Sequence, residues 1–290
     1  MPHKVLAEIL EKNYARFRQS HPEEGRRKRI LRTLRSNWPD GSYPIDNSTV
    51  DINLEELDSD PYDAFLELDT PGILLRTDYS NEEAWQEFLA KFRESERELL
   101  ESLRPSQPEA LNSEAAPANP VQDVHMRDNN DDNDSDNSEE DGNIPDAVIS
   151  VYSAATVEER ATLENISNIT ALGLFNDVDI RPAVPPPPET KTRYNPNNVL
   201  INKNGWQEIY TGCTLWLFDR KSLEDQCVRV VTPSGDLYGT ATGDSWRARV
   251  SHIAELQFNM TYLGMQIDFG GLDRWDPQER SRNLNETSAF

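Results

Sequence analysis

Cysteine, long apolar runs and net positive charge are all scarce in this 290-residue chain. Its two cysteines, Cys213 and Cys227, cannot staple a chain of this size, which excludes a disulfide framework and suggests a reducing compartment. No run approaches the roughly 18 apolar residues that a membrane span needs; the most compact apolar stretch is Leu215-Trp216-Leu217-Phe218. The first 25 residues alternate apolar and charged positions and lack the continuous apolar core of a signal peptide. The expectation is a cytoplasmic chain, neither secreted nor held in a membrane. Hydrophobic residues make up 36%, below the roughly 45–50% of a typical globular chain. Part of the sequence is therefore expected to stay outside any core.

The formal charge of −23 comes from 29 basic and 52 acidic side chains, and it is spread unevenly. Residues 1–36 sum to +6, residues 37–189 to −28 and residues 190–290 to −1. Phosphate binding needs clustered Lys and Arg, so the folded part is not expected to bind nucleic acid. Only the short N-terminal block offers such a cluster.

Residues 1–38 read as a helical hairpin. Val5, Leu6, Ile9, Leu10, Tyr14 and Phe17 repeat at helical spacing over 3–19, and Ile30, Leu31 and Leu34 do so over 23–36. Residues 39–71 read as an acidic connector, with a short strand at Val50-Asp51-Ile52 and a helical turn at Asp60–Leu66 as candidates. Ile73 to Asp78 is a buried-strand pattern. Ser80-Asn81-Glu82-Glu83 follows as a capping box with Ser80 as N-cap, opening a helix marked by Trp85, Phe88, Leu89 and Phe92 and prolonged by Leu99 to Leu103. Residues 104–145 are almost devoid of apolar side chains, and an acidic run from Asp128 to Asp141 lies within them. Such a stretch has nothing to offset its ordering entropy and is expected to be a disordered insertion.

Apolar patterning resumes at Ala147–Tyr152, a second strand, and a second capping box, Thr156 with Glu159, opens a helix through about Ile166. Pro185–Pro188 is a stiff polyproline run, and Asn195–Asn198 is loop chemistry. Thr214–Phe218 and Cys227–Val231 read as strands, Pro233–Asp236 as a turn and Leu237–Thr240 as a continuing strand. A helix from Ser245 fits Trp246, Val250, Ile253, Ala254 and Gln257. An extended or short helical piece covers Met265–Phe269, and the polar residues 273–290 form a loose tail. The expected fold is α/β (or α+β): one small mixed-sheet domain built from 72–103 and 146–272, with the hairpin in front and the acidic segment inserted.

Three segments together resemble an uncharacterised small α/β domain family of bacteria and fungi. Leu74-Leu75-Arg76-Thr77-Asp78-Tyr79-Ser80, with Trp85 in the next helix, is similar to its opening motif, an Arg-Thr-Asp strand end before a Trp-bearing helix. Leu215–Asp219 resembles its central strand, and either Asn259-Met260 or Met265–Phe269 its closing segment. The resemblance covers residues 72–103 and 146–272. It implies the fold and no activity.

Asp78 and Asp219 both sit where a strand ends, with Arg76 near the first. Ligands of open α/β sheets collect outside the carboxyl ends of strands, so these three are candidates for an acid/base or cation-binding cleft; turn and cap roles are the competing reading. His252 lacks a second ligand at metal spacing. Pairing it with Cys213 or Cys227 as a nucleophile competes with inert core cysteines. Gly235, Gly239 and Gly243 lack the residues of a phosphate loop. No cofactor or metal is expected. Arg26-Arg27-Lys28-Arg29 with Arg32 and Arg35 reads as a nuclear import signal, as the solvated face of a helix, or as a block resting on the acidic middle of the chain. The leading functional expectation is a non-catalytic protein-binding or scaffolding module, with the hairpin or the acidic segment meeting a protein partner. A carboxylate-lined enzyme and a nuclear regulator are the alternatives.

Overall fold

The computed structural model describes residues 1–51, 58–65, 70–104, 146–185, 197–235, 240–267 and 276–288. The helices are α1 (Lys4–Ser20), α2 (Arg26–Ser36), α3 (Glu82–Leu103), α4 (Val157–Leu163), α5 (Asn168–Phe175), α6 (Ser222–Asp225), α7 (Ile253–Tyr262) and α8 (Pro277–Ser288). The strands are β1 (Gly72–Arg76), β2 (Ile149–Tyr152), β3 (Asp177–Pro182), β4 (Trp206–Thr211), β5 (Thr214–Phe218), β6 (Cys227–Val231) and β7 (Ser245–Arg249). The result is an α/β fold, with a five-stranded sheet in the order β2-β1-β5-β6-β7 and a separate antiparallel pair, β3-β4. No helix among the described residues is long and apolar enough to cross a membrane.

The sheet is mixed for a physical reason. Its inner strands β1 and β5 are almost wholly buried, because helices cover both faces, and parallel strands of this kind read as near-continuous apolar runs. β1 runs parallel to β2 on one side and to β5 on the other, with Gly72 facing both Ile149 and Thr214. Strands on either side of residues 105–145 are thus hydrogen-bonded neighbours; that segment itself lies outside the described residues. Glu96 of α3 holds the start of β2: its Oε1 accepts the N–H groups of Val148 and Ile149 at 3.1 and 3.2 Å.

One face of the sheet turns Leu74, Trp216, Phe218 and Val230 to Trp85, Phe88 and Phe92 of α3 and Ile253 of α7. The other turns Ile73, Leu75, Leu215 and Leu217 to a core shared with α1, α2, α5 and the β3-β4 pair. Gln257 closes tightly over the first face. Its Oε1 accepts the Trp216 indole N–H at 2.6 Å and lies only 2.5 Å from where a Cβ on Gly72 would stand. The hairpin α1–α2 is capped by His3, whose Nδ1 accepts the Val5 N–H at 3.1 Å.

Several expectations are corrected. Asn81, not Ser80, caps α3: Asp78 draws the Ser80 N–H and hydroxyl back to itself, and Asn81 Oδ1 takes the Ala84 N–H at 3.0 Å. The capping box of Thr156 and Glu159 forms, but α4 ends at Leu163. Residues 245–249 are strand, not helix. Every residue of β6 pairs with β7, which satisfies an edge that would otherwise be open, and the helix begins only at Ile253. The supposed loose tail forms α8, seated by Glu279, Asn283 and Thr287 at every fourth residue. In the connector, Thr49 bridges His3, Ile52 lies outside the described residues, and Asp63–Phe65 makes one 3-10 turn. Met265–Ile267 has no regular structure; residues 186–196, 236–239 and 268–275, which carry Pro186–Pro188, Asn195 and Pro196, Asp236, most of the expected Leu237–Thr240 strand, Asp268 and Phe269, and the start of the expected tail, lie outside the described residues.

Candidate functional site

The strand ends do meet. Arg76 and Phe218 are register partners, and the Thr77 N–H donates to the Phe218 carbonyl at 2.9 Å. Their side chains then part. Arg76 is buried, donates through Nε to the Asp78 carbonyl at 2.9 Å and through Nη1 to Glu82 at 2.7 Å, and stacks on Tyr79 and Trp85. The Asp78 carboxylate takes the N–H and hydroxyl of Ser80 at 3.0 and 2.6 Å, which closes a turn.

Asp219 takes the Ser222 N–H and hydroxyl, both at 3.0 Å, and receives Arg247 in a two-pronged pair at 2.9 and 3.1 Å, with Arg229 Nε 3.2 Å away. Burial works against its charge, but Arg247 and Arg229 outweigh it and hold the carboxyl below the usual range. The two carboxylates are occupied separately, one by a turn and one by arginines.

The other candidates are also dispersed. His252 is exposed beside Glu255 at 3.8 Å. The Cys213 thiol donates to the Phe65 carbonyl and the Cys227 thiol to the Asp225 carbonyl, and burial pushes both thiols up, away from the thiolate form. Gly243 occupies a left-handed turn.

The basic cluster is mostly not a solvated face. Arg26, Arg27 and Arg29 are 0, 2 and 5% exposed. Arg26 pairs with Asp63 at 2.8 Å and Asp177 at 3.1 Å, Arg27 with Asp60, Asp63 and Asp177, and Arg29 with Asp58. The block rests on the acidic middle of the chain, as one reading anticipated, but through buried pairs that salt screens far less than surface ones. Its outward residues are Lys28 and, in part, Arg32.

Those two residues line a cleft of about 310 Å³ between α2, α4, α5 and α8. Leu31, Ile169 and Leu174 make its walls apolar, and Gly173 leaves them open. A Cβ there would meet Leu31 Cδ2 at 3.6 Å and the Tyr210 hydroxyl and Cε1 at 3.7 and 4.0 Å, all at ordinary contact distance. Arg35 closes the inner end, where Glu208, with 0% exposure, accepts its Nε and Nη2 at 2.9 and 2.7 Å. The Tyr210 hydroxyl adds a third bond to Glu208 at 2.9 Å, and burial together with Glu208 drives the phenol well above its ordinary range, so that it stays a donor.

The charges along this cleft are held in pairs at its inner end and more loosely at its lip. Arg35 is matched by Glu208, and Glu286 by Arg282 at 3.1 Å. Lys28 and Arg32, however, share one carboxylate, Glu24, which the Arg32 hydrogen bond holds below its usual range. The exposed Glu23 also acts on Arg32, so the lip carries two cations and two carboxylates, with Lys28 the more outward cation.

Sequence reasoning missed this cleft because it missed α5, whose Asn168–Phe175 stretch is apolar on most sides and gives no helical stripe. The Ser167 N-cap is the signal that would have found it: its hydroxyl accepts the Thr170 N–H at 3.1 Å. No family model, curated protein or solved structure matches this chain.

Proposed function

We propose that the protein is a non-catalytic binding module whose cleft between α2 and α5 receives an apolar side chain of a protein partner, flanked by a carboxylate. The cleft's composition supports this reading: Leu31, Ile169 and Leu174 offer a mostly apolar hollow of the size ligands occupy. The outward-facing Lys28 and partly exposed Arg32 at its lip favour an anionic neighbour. An enzyme built on Asp78, Asp219 and Arg76 draws no comparable support, since each group is already bound. A nuclear import role for Arg26–Arg29 would require three buried guanidinium groups to leave their carboxylates.

The test uses 1-anilinonaphthalene-8-sulfonate, an apolar fluorophore with one negative charge. The native protein is expected to bind it saturably at one site. Gly173→Leu, which fills the cleft, should weaken binding at least about tenfold, equivalent to 1.4 kcal/mol. Lys28→Glu should weaken it less, and Lys12→Glu on α1 not at all. Equal binding by Gly173→Leu would overturn the proposal. A partner captured from cell extract counts in its favour only if the same two cleft substitutions release it and Lys12→Glu does not.

A further inference from the structure

Helix α8 holds its place in an unusual way. A surface helix ordinarily docks through an apolar stripe, but the inward residues of α8 are Glu279, Asn283 and Thr287, all polar and all buried. Leu284 is its one apolar side chain against the core. The seat is correspondingly polar. Glu279 Oε1 accepts the Asn168 N–H at 2.8 Å while its Oε2 faces Arg229 Nη1 at 2.8 Å. Asn283 accepts the Ile169 N–H at 3.3 Å and donates to the Gly243 carbonyl at 3.0 Å. Asn198 donates to Thr287 at 3.1 Å and to the Leu284 carbonyl at 3.0 Å. In effect α8 caps the start of α5.

Every one of these contacts has an equivalent in water, so the helix and its seat both tolerate separation far better than two apolar faces would. A helix this short, without an apolar stripe, does not persist alone in water. Leaving the seat and unwinding are then one event.

We propose that α8 is a detachable strap, docking and undocking as a unit while the five-stranded sheet and the α1–α2 hairpin stay folded. Glu286 of α8 also forms part of the cleft wall, so release widens the cleft. This second consequence rests on the cleft being a binding site; the strap itself does not.

Hydrogen exchange of the full chain, followed residue by residue by NMR, tests it. The amides of 281–288 are expected to exchange at least about 100-fold faster than those of Ile73–Leu75 and Leu215–Leu217, as a sub-global opening requires. The Asn168 and Ile169 amides should follow α8, because their acceptors sit on it. Glu279→Gln, which removes the charge facing Arg229, should speed this group alone. Exchange of α8 in step with β1 and β5, or Asn168 and Ile169 keeping their protection while α8 loses its own, would overturn the strap. If α8 opens but Glu279→Gln leaves binding of the anilinonaphthalene probe unchanged, the widening of the cleft is refuted and the strap stands.

Discussion

Glu208 carries the most consequential single charge in the interior. Its side chain is wholly buried, and three donors converge on it: two from Arg35, itself 8% exposed, and one from Tyr210. Glu208→Gln keeps the shape but removes the charge and turns an amide N–H toward donors that need an acceptor. Breaking a buried pair by neutralising one partner costs about 3–5 kcal/mol, because the other charge stays in the interior. Replacing both partners by apolar residues is a different perturbation. Arg35→Leu with Glu208→Leu removes the desolvated pair but leaves the buried Tyr210 hydroxyl without its acceptor, at about 1–3 kcal/mol, and should still be more stable than the two single leucine losses added. Urea unfolding of the native protein, Arg35→Leu, Glu208→Leu and the double variant gives the coupling energy directly. If Glu208→Gln costs under about 1 kcal/mol, or if the double variant is as unstable as the two single losses added, the pair is not the anchor of the cleft's inner end.

Two further outcomes follow from the fold. Asp219 is held below the ordinary carboxylate value, so its share of stability is present above the unfolded pKa of about 3.9 and is lost as pH falls through the lower folded value. Acid unfolding should therefore be shallower in Asp219→Asn, with little difference between the two slopes above pH 6; an unchanged acid limb would contradict the Arg247 and Arg229 pairing. Glu96→Ala leaves the Val148 and Ile149 N–H groups buried without their acceptor, at about 1–3 kcal/mol for each unsatisfied group. Exchange of the β2 amides should rise more than that of β5, and equal protection in both would refute the anchoring role.

The centre of the sheet was legible because strands covered on both faces must be nearly continuous in apolar residues, as Ile73–Leu75 and Leu215–Phe218 are. β7 was misread because Trp246, Val250 and Ile253 also fit helical spacing. The competing fact, an unpaired β6 edge, is a tertiary one. β3 alternates Val178 and Ile180 with charged neighbours, and Asn204-Gly205, both at positive φ, carry hairpin-turn chemistry. The long excursion between the two strands hid their pairing. α8 was unreadable for a related reason, since a helix seated on polar groups leaves no stripe to find.

At the candidate site, residue type could not separate cap chemistry from acid–base chemistry for Asp78 and Asp219; the groups they bind, Ser80 for one and Ser222 with Arg247 for the other, come from the fold. The cleft lay further from view. Lys28, Leu31, Arg32 and Arg35 were visible on α2, but the wall they face belongs to α5, whose Ile169, Gly173 and Leu174 carry no helical stripe.

Methyl NMR of the full chain during addition of 1-anilinonaphthalene-8-sulfonate puts the binding claim to its most direct trial. The account requires the Leu31, Ile169 and Leu174 methyls to shift together and saturably, while Ile253 and Val228 across the sheet stay still. Shifts confined to other residues, or a cleft that remains silent at saturation, would contradict it.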